Sequence, residues 1–332
     1  PLRLIANENP HGPSPAARAA AGEGVARGWQ YALREIQPLK RALARHHDLP
    51  PAAIMVSAGS AEALRVAVLA FARDGGDVVA ARPTFAFLPE YARELGCRLV
   101  EVPLDASLCH DLDAMAAAIG ERTRLVYICN PNNPSSTRLS GERLRAFVAA
   151  QSARVPVVVD EAYLDIDDPA GEHSAIPRVR AGDRVVVTRT FSKLHGMAGL
   201  RIGYAIAPPP IIRRLESLRI SQLNLPGVLA ARASLADRKF LDWSRRQLQI
   251  ARRQTTAVLD ELGLEHSEAH GNFVFFDTGA PARRFMRAMR ERGILTGMPT
   301  PAMPTWARVS IGTVEQMQRF AAAARDYFGS RA

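Results

Sequence analysis

From Ile54 onward the hydrophobic pattern alternates between two periods. Short apolar, β-branched runs stand at Ile54–Ser57, Asp77–Ala80, Arg124–Cys129, Val155–Val159, Arg184–Thr188 and Arg201–Ala207. Several are apolar throughout, as strands buried on both faces of a largely parallel sheet must be. Between them Ser60–Arg73 sets Leu64, Val68 and Phe71 on one helical stripe, and Ser140 is placed to cap a helix running to about Ala150. This alternation predicts an α/β fold. The run Pro208-Pro209-Pro210 suits neither a strand nor a helix interior, so the chain is expected to leave the sheet domain there. Beyond it the pattern predicts a long Arg-rich helical region to about Leu262, a strand at Asn272–Asp277, a helix at Ala282–Arg292, a strand at Trp306–Ile311 and a closing helix. That order reads as a smaller α+β domain. The Pro- and Gly-rich stretch Leu4–Ser14 lacks periodicity and reads as an arm or loop.

Composition narrows the class. The 332 residues leave room for about two domains. With 47% hydrophobic and 23% charged residues, a disordered, collagen-like or disulfide-scaffold chain is excluded. Cys97, Cys109 and Cys129 lie far apart without a C-x-x-C, so neither disulfides nor a metal site is expected. Apolar runs such as Val66–Ala72 fall far short of the ~20 residues that cross a bilayer, so no membrane partner is expected. The expected location is cytoplasmic, with export left open because the chain begins with Pro1 rather than Met.

The 43 basic and 33 acidic residues give +10, and most of the surplus lies between Ile211 and Thr256. Arg213, Arg214, Arg219, Arg232, Arg238, Lys239, Arg245, Arg246, Arg252 and Arg253 there face only Glu216, Asp237 and Asp242. Arginine pairs between apolar residues at helical spacing read as a solvated helix face. A nucleic-acid-binding or regulatory module is the rival reading, without any helix-turn-helix, zinc-finger or RNP motif to accompany it.

Several common chemistries drop out by inspection. No G-x-G-x-x-G follows the first strand, no glycine precedes a lysine as in a P-loop, and neither G-x-S-x-G nor H-E-x-x-H occurs. Lysine is the informative residue, because only Lys40, Lys193 and Lys239 among the basic side chains are lysines. An amine can form a Schiff base and a guanidinium cannot. Lys40 and Lys239 stand in polar helical contexts and are expected to face water. Lys193 follows a buried strand in Thr190-Phe191-Ser192-Lys193, at the sheet edge where ligand-binding loops gather. Taken alone it reads equally as a surface-loop lysine.

Its neighbours change the picture. One apolar strand ends in Asp160-Glu161-Ala162-Tyr163, another in Asn130-Pro131-Asn132-Asn133-Pro134, and Ile54–Ser57 leads through Ala58-Gly59-Ser60-Ala61 into a helix whose free N–H groups make an anion site. Arg201 follows soon after Lys193. An anion pocket, an acid, a phenol, amides and an amine are thus expected at one edge. Singly, Arg201 reads as a sheet-end ion pair, Phe85 as core, Ser60 as a helix cap and Tyr31 as a surface aromatic.

In this order and spacing, with Asn7-Glu8-Asn9-Pro10 near the start, Ser192-Lys193 followed by Ala198-Gly199-Leu200-Arg201-Ile202-Gly203, and Arg308-Val309-Ser310-Ile311-Gly312-Thr313 near the end, the chain resembles the fold-type I pyridoxal-phosphate (PLP) enzymes of the class I/II aminotransferases, nearest the histidinol-phosphate aminotransferase branch. The resemblance implies a large domain with a mainly parallel, seven-stranded sheet plus a smaller α+β domain. Its implied limits are 1–30 for the arm and part of the small domain, 31–208 for the PLP-binding domain and 209–332 for the small domain. It implies Lys193 as the residue bonded to PLP and then as proton-moving base, Asp160 as partner of the pyridine nitrogen, and Tyr163 and Asn133 on the phenolic oxygen. Phe85 would stack on the ring. Ser60, Ala61, Ser192, Arg201 and Thr190 would hold the phosphate, with Tyr31 reaching it from the partner subunit of a homodimer. Arg308 would clamp the substrate carboxylate, Asn9 and Asn133 would also face substrate, and Asn7–Gly12 would close over it.

The expected activity is transfer of an amino group between an L-amino acid, or a histidinol-phosphate-like amine, and a 2-oxo acid in a ping-pong cycle. A decarboxylase or other lyase on the same scaffold is the alternative. Two departures bear on substrate. Gly293–Met298 lacks the arginine that in this branch helps bind the substrate phosphate, and His11 replaces the usual tyrosine. Met298, Pro299, Met303 and Trp306 suggest an apolar side-chain pocket.

Overall fold

A computed structural model describes residues 1–220 and 222–329. The large domain is built on a seven-stranded sheet. Its strands are β2 (Ile54–Ser57), β3 (Asp77–Arg82), β4 (Arg98–Pro103), β5 (Thr123–Cys129), β6 (Val157–Asp160), β7 (Val185–Thr190) and β8 (Gly203–Ile206), in the order β2-β8-β7-β6-β5-β3-β4; β1 (Leu2–Leu4) lies outside this sheet. Only β8 runs antiparallel to its neighbours. Side chains alternate between two helix-covered cores: Val157, Val159, Val185 and Val187 face one, while Val158, Val186, Leu125 and Tyr127 face the other. Burial on both faces is why these strands read as continuous apolar runs.

Three strands go beyond the sequence expectation. β4 is an edge strand that is mostly exposed or half-buried, with Glu101 amid Leu99, Val100 and Val102, so no continuous apolar run marks it. β1 and β10 (Ile294–Thr296) are three residues each and pair in parallel, too short for any period to show. The start of the expected arm is therefore a strand. In the small domain β9 (Phe273–Asp277) pairs antiparallel with β11 (Trp306–Ser310).

The three prolines end the strand, but Pro209 and Pro210 then open a helix, Pro209–Leu218, since the first turn needs no N–H from them. The Arg-rich region is three helices, broken where Asn224 and Asp237 cap the next two, Leu225–Ala236 and Arg238–Glu261. The first two bury Ile212, Leu215, Val228 and Leu229 in the large domain's cores. Packing thus passes from the large domain's cores to the small domain's core near residue 238. Likewise helix Pro15–Ala26 buries Ala17 against the large domain, whereas Leu2 and Leu4 pack with Phe273, Phe285 and Phe320 of the small one. Residues 330–332 of the implied small domain lie outside the described residues. No helix among the described residues is long and apolar enough to cross a membrane.

Candidate active site

Parallel strands bring their carboxyl ends to one edge, and the loops leaving them carry the site. Asp160 ends β6 in register with Cys129 of β5 and Thr188 of β7. The turn after β5 presents Asn133, the turn after β6 Tyr163, and the loop after β7 Ser192 and Lys193. β2 ends at the same edge, because its antiparallel partner β8 begins there with Gly203 opposite Ser57. Helix Ser60–Phe71 thus starts beside Arg201.

These groups line a cavity of about 270 Å³ together with Ala6, Asn7, Phe85, Ala162, Ala198 and Arg308. On its floor the Asp160 carboxylate is buried, with Thr188 Oγ1 donating to Oδ1 at 2.9 Å and the Tyr127 hydroxyl 3.4 Å from Oδ2. Burial, only partly offset by the Thr188 hydrogen bond, pushes its pKa up to about 6. No cation among the described residues lies within ion-pair distance of it. Lys193 Nζ donates to the carbonyls of Asn7 at 3.1 Å and Ala6 at 3.3 Å and stands 5.2 Å from the centre of the Tyr163 ring. Desolvation, then the positive charge of Arg308, lowers its pKa to about 8.

The Tyr163 hydroxyl accepts from Asn133 Nδ2 at 3.3 Å and Asn7 Nδ2 at 3.2 Å, and burial raises its pKa. Arg308 donates to Asn133 Oδ1 at 2.6 Å and to Ile5 O at 2.9 Å, leaving Nε buried and unpartnered. At the other end Arg201 Nη1 meets Ser192 Oγ at 3.2 Å and Ala198 O at 2.8 Å, without a carboxylate. Thr190 Oγ1 supports Ser192 at 2.9 Å. The helix here has no side-chain cap, and its N-cap is Gly59 at φ 79°. A Cβ on Gly59 would stand 2.3 Å from Arg201 Nη2, so glycine is what lets the guanidinium lie against the helix start.

Among the described residues, the cavity therefore holds a buried carboxylate without a cation partner, a guanidinium without a carboxylate partner beside a helix start, and an amine of lowered pKa. A group with a cationic N–H at one end and a dianion at the other answers both unmet charges, and PLP is such a group. The residues fit it.

The chain's relatives decide its family. Residues 1–323 match the family "Aminotransferase class I and II". The chain is 38% identical to histidinol-phosphate aminotransferase 2 of Ralstonia nicotianae, over 95% of this chain and 85% of that one. It is 36% identical to the aromatic amino acid aminotransferase of Rhodococcus opacus, over 97% and 88%. The crystal structure of histidinol-phosphate aminotransferase from Sinorhizobium meliloti in complex with pyridoxal-5'-phosphate superposes with a TM-score of 0.93 at 30% identity, covering 100% of this chain and 91% of that one. The chain belongs to the class I and II aminotransferases.

In this aminotransferase the cavity brings together Lys193, Asp160, Tyr163, Ser60, Ala61, Phe85, Asn133, Thr190, Ser192, Arg201 and Arg308. Two expected residues lie elsewhere. Asn9 turns away, its amide donating to Leu194 O at 2.7 Å and Ser244 Oγ at 2.9 Å, so it fastens the arm to the lysine loop instead of lining the cavity. Tyr31 is 78% exposed on the surface. Asn7, two residues from Asn9 in the same motif, lines the cavity instead, with its backbone at φ 53° and its amide on the Tyr163 hydroxyl. Thr188 was missed, although register with Asp160 would have found it.

Much of the basic stretch is engaged within the chain. Arg252 pairs with Asp167, Arg245 with Asp242 and the Asp165 carbonyl, Arg232 with Glu35, and Arg219 donates to Val56 O.

Proposed function

We propose that this aminotransferase uses PLP at Lys193 to move an amino group between an L-amino acid and a 2-oxo acid in a ping-pong cycle. The observation that carries the reading is that one cavity gathers an amine of lowered pKa, a buried carboxylate and a guanidinium at a helix start, the last two without ion-pair partners among the described residues. PLP, when bound, supplies an aldehyde that bonds amines and a ring that accepts electrons from the substrate α-carbon.

Asp160 would hold the ring N–H, its charge, costly when unpaired, keeping that proton in place. Tyr163, supported by Asn133 and Asn7, donates to the phenolic oxygen. Phe85, on the cavity wall, would cover the ring face. Ser60 and Ala61 N–H, Ser192, Thr190 and Arg201 bind the phosphate. Lys193, with a pKa near 8, is neutral in a useful fraction at neutral pH and carries the proton at the substrate α-carbon.

Arg308 receives the substrate's anion as a planar fork. Gly297 abuts it: a Cβ there would stand 2.9 Å from Arg308 Nε. Among the described residues the cavity's other guanidinium, Arg201, is taken by the cofactor phosphate, so Arg308 meets the substrate alone, which favours a singly charged carboxylate over a phosphate and hence an amino acid over histidinol phosphate. Val25, Trp29, Tyr31 and Leu33 are exposed close together in sequence, and a second copy of the chain covers them, bringing Tyr31 to its neighbour's phosphate site.

Borohydride reduction of the PLP-loaded protein followed by peptide mapping is expected to place a pyridoxyl group on Lys193. An adduct elsewhere, or none, refutes the reading. Release of carbon dioxide from amino acids without pyridoxamine phosphate would favour the lyase.

A further inference from the structure

Behind the cavity floor, on the opposite face of the sheet, lies an ion network that the proposed chemistry does not use. Side chains alternate along a strand, so Thr188, bonded to Asp160, and Thr190, on the cavity wall, lie on one face and Arg189 on the other. Arg189 is 4% exposed and Glu161 wholly buried. The guanidinium donates to Glu161 Oε2 through Nη2 at 2.7 Å and Nε at 3.0 Å, and through Nη1 to Asp165. Glu161 also accepts from Ala175 N at 2.7 Å and Ser174 Oγ at 2.8 Å. The backbone around it is tied as well: Glu161 N donates to Thr188 O at 2.9 Å and Asn130 N to Asp160 O at 2.8 Å.

A buried ion pair stabilises a fold no better on average than apolar side chains of the same volume. What this one adds is place and charge. Glu161 follows Asp160 directly, and Arg189 stands between Thr188, which bonds Asp160, and Thr190, which supports Ser192.

We propose that Arg189 and Glu161 are positioning residues for Asp160. Their fork holds the ends of β6 and β7 so that the carboxylate and the lysine loop meet in one cavity, and Arg189 balances the charge Glu161 would otherwise impose on Asp160. The inference rests on Asp160 being the partner of the cofactor's ring N–H. The titratable groups around Asp160 are Tyr127, Cys129, Tyr163, Lys193 and Glu161. Those around Arg189 are Glu161, Asp165, Tyr204, His46 and His47.

The test is the pH dependence of the PLP dissociation constant, measured by fluorescence for the full chain and three variants, with thermal unfolding alongside. Arg189→Met leaves Glu161 unbalanced, makes Asp160 harder to ionise and moves the acid limb of binding to higher pH. Glu161→Gln leaves Arg189 less balanced and moves it to lower pH. Arg189→Lys keeps the charge without the fork, so the limb stays while affinity falls at least tenfold. Limbs that stay put or move together in the first two variants, whatever happens to unfolding, reduce the pair to a structural role and overturn the proposal. If Arg189→Met does not fold, the isosteric Glu161→Gln decides it by the direction of its shift. A wild-type chain that binds no PLP at any pH refutes the proposed function and this inference with it; wild-type binding with unshifted variants refutes the inference alone.

Discussion

Lys193 is held at a loss. Its pKa falls from 10.5 to about 8 through desolvation and Arg308, so the folded chain without cofactor binds this proton less tightly than the unfolded one. Below pH 8 both states carry the proton and the folded state bears the whole penalty, which is relieved as pH rises from 8 towards 10.5. The side chain is only half-buried, and solvent in the cavity discounts the effect to roughly 2 kcal/mol. Lys193→Met is therefore expected to raise the stability of the cofactor-free protein by about that amount at pH 7 and to lose the advantage above pH 10, in denaturant titrations at the two pH values. A gain that does not change with pH would assign the effect to packing alone. Gly59 shows the same economy differently: its positive φ and missing Cβ serve the guanidinium beside it, not the helix.

At the scale of elements, the site depends on segments from both domains meeting over the sheet edge. Asp167, in the turn after β6, accepts from Arg252 of helix Arg238–Glu261 and from His270 Nδ1 at 2.6 Å before β9, and pairs with Arg138 at 3.4 Å. Burial alone would raise its pKa, but the His270 hydrogen bond and Arg252 outweigh it and hold the carboxyl well below the usual range. A depressed carboxylate pKa contributes stability above the unfolded value, 3.8, and loses it as pH falls through the folded value. Asp167→Asn is expected to cost roughly 2 kcal/mol at pH 7. The gap from wild type should close in strong acid, as read by unfolding midpoints across pH; a gap unchanged below pH 3 would show that the carboxylate's charge is not what joins these elements.

On the scale of the whole molecule, the proposal is that a second chain completes the phosphate site. Sedimentation of the protein is expected to give twice the 36.1 kDa of one chain, and Tyr31→Phe to weaken PLP binding severalfold without changing that mass. A monomeric solution mass would leave Trp29, Tyr31 and Leu33 without the cover assigned to them.

The sequence alone determined the α/β class, the six central strands to within about three residues at each end, and most of the residues lining the cavity, because burial on both faces writes a strand as an apolar run and the loop motifs directly follow those runs. It could not resolve β1, β10 or β4, whose shortness or half-exposure leaves no period to read. Nor could it say that helices Pro209–Leu218 and Leu225–Ala236 pack on the large domain, since an amphipathic stripe does not name its partner. Which of Asn7 and Asn9 lines the cavity, and that Arg189 clasps Glu161 behind Asp160, are seen only in their tertiary contacts. Those relations join residues far apart in the chain, and only the folded structure decides them.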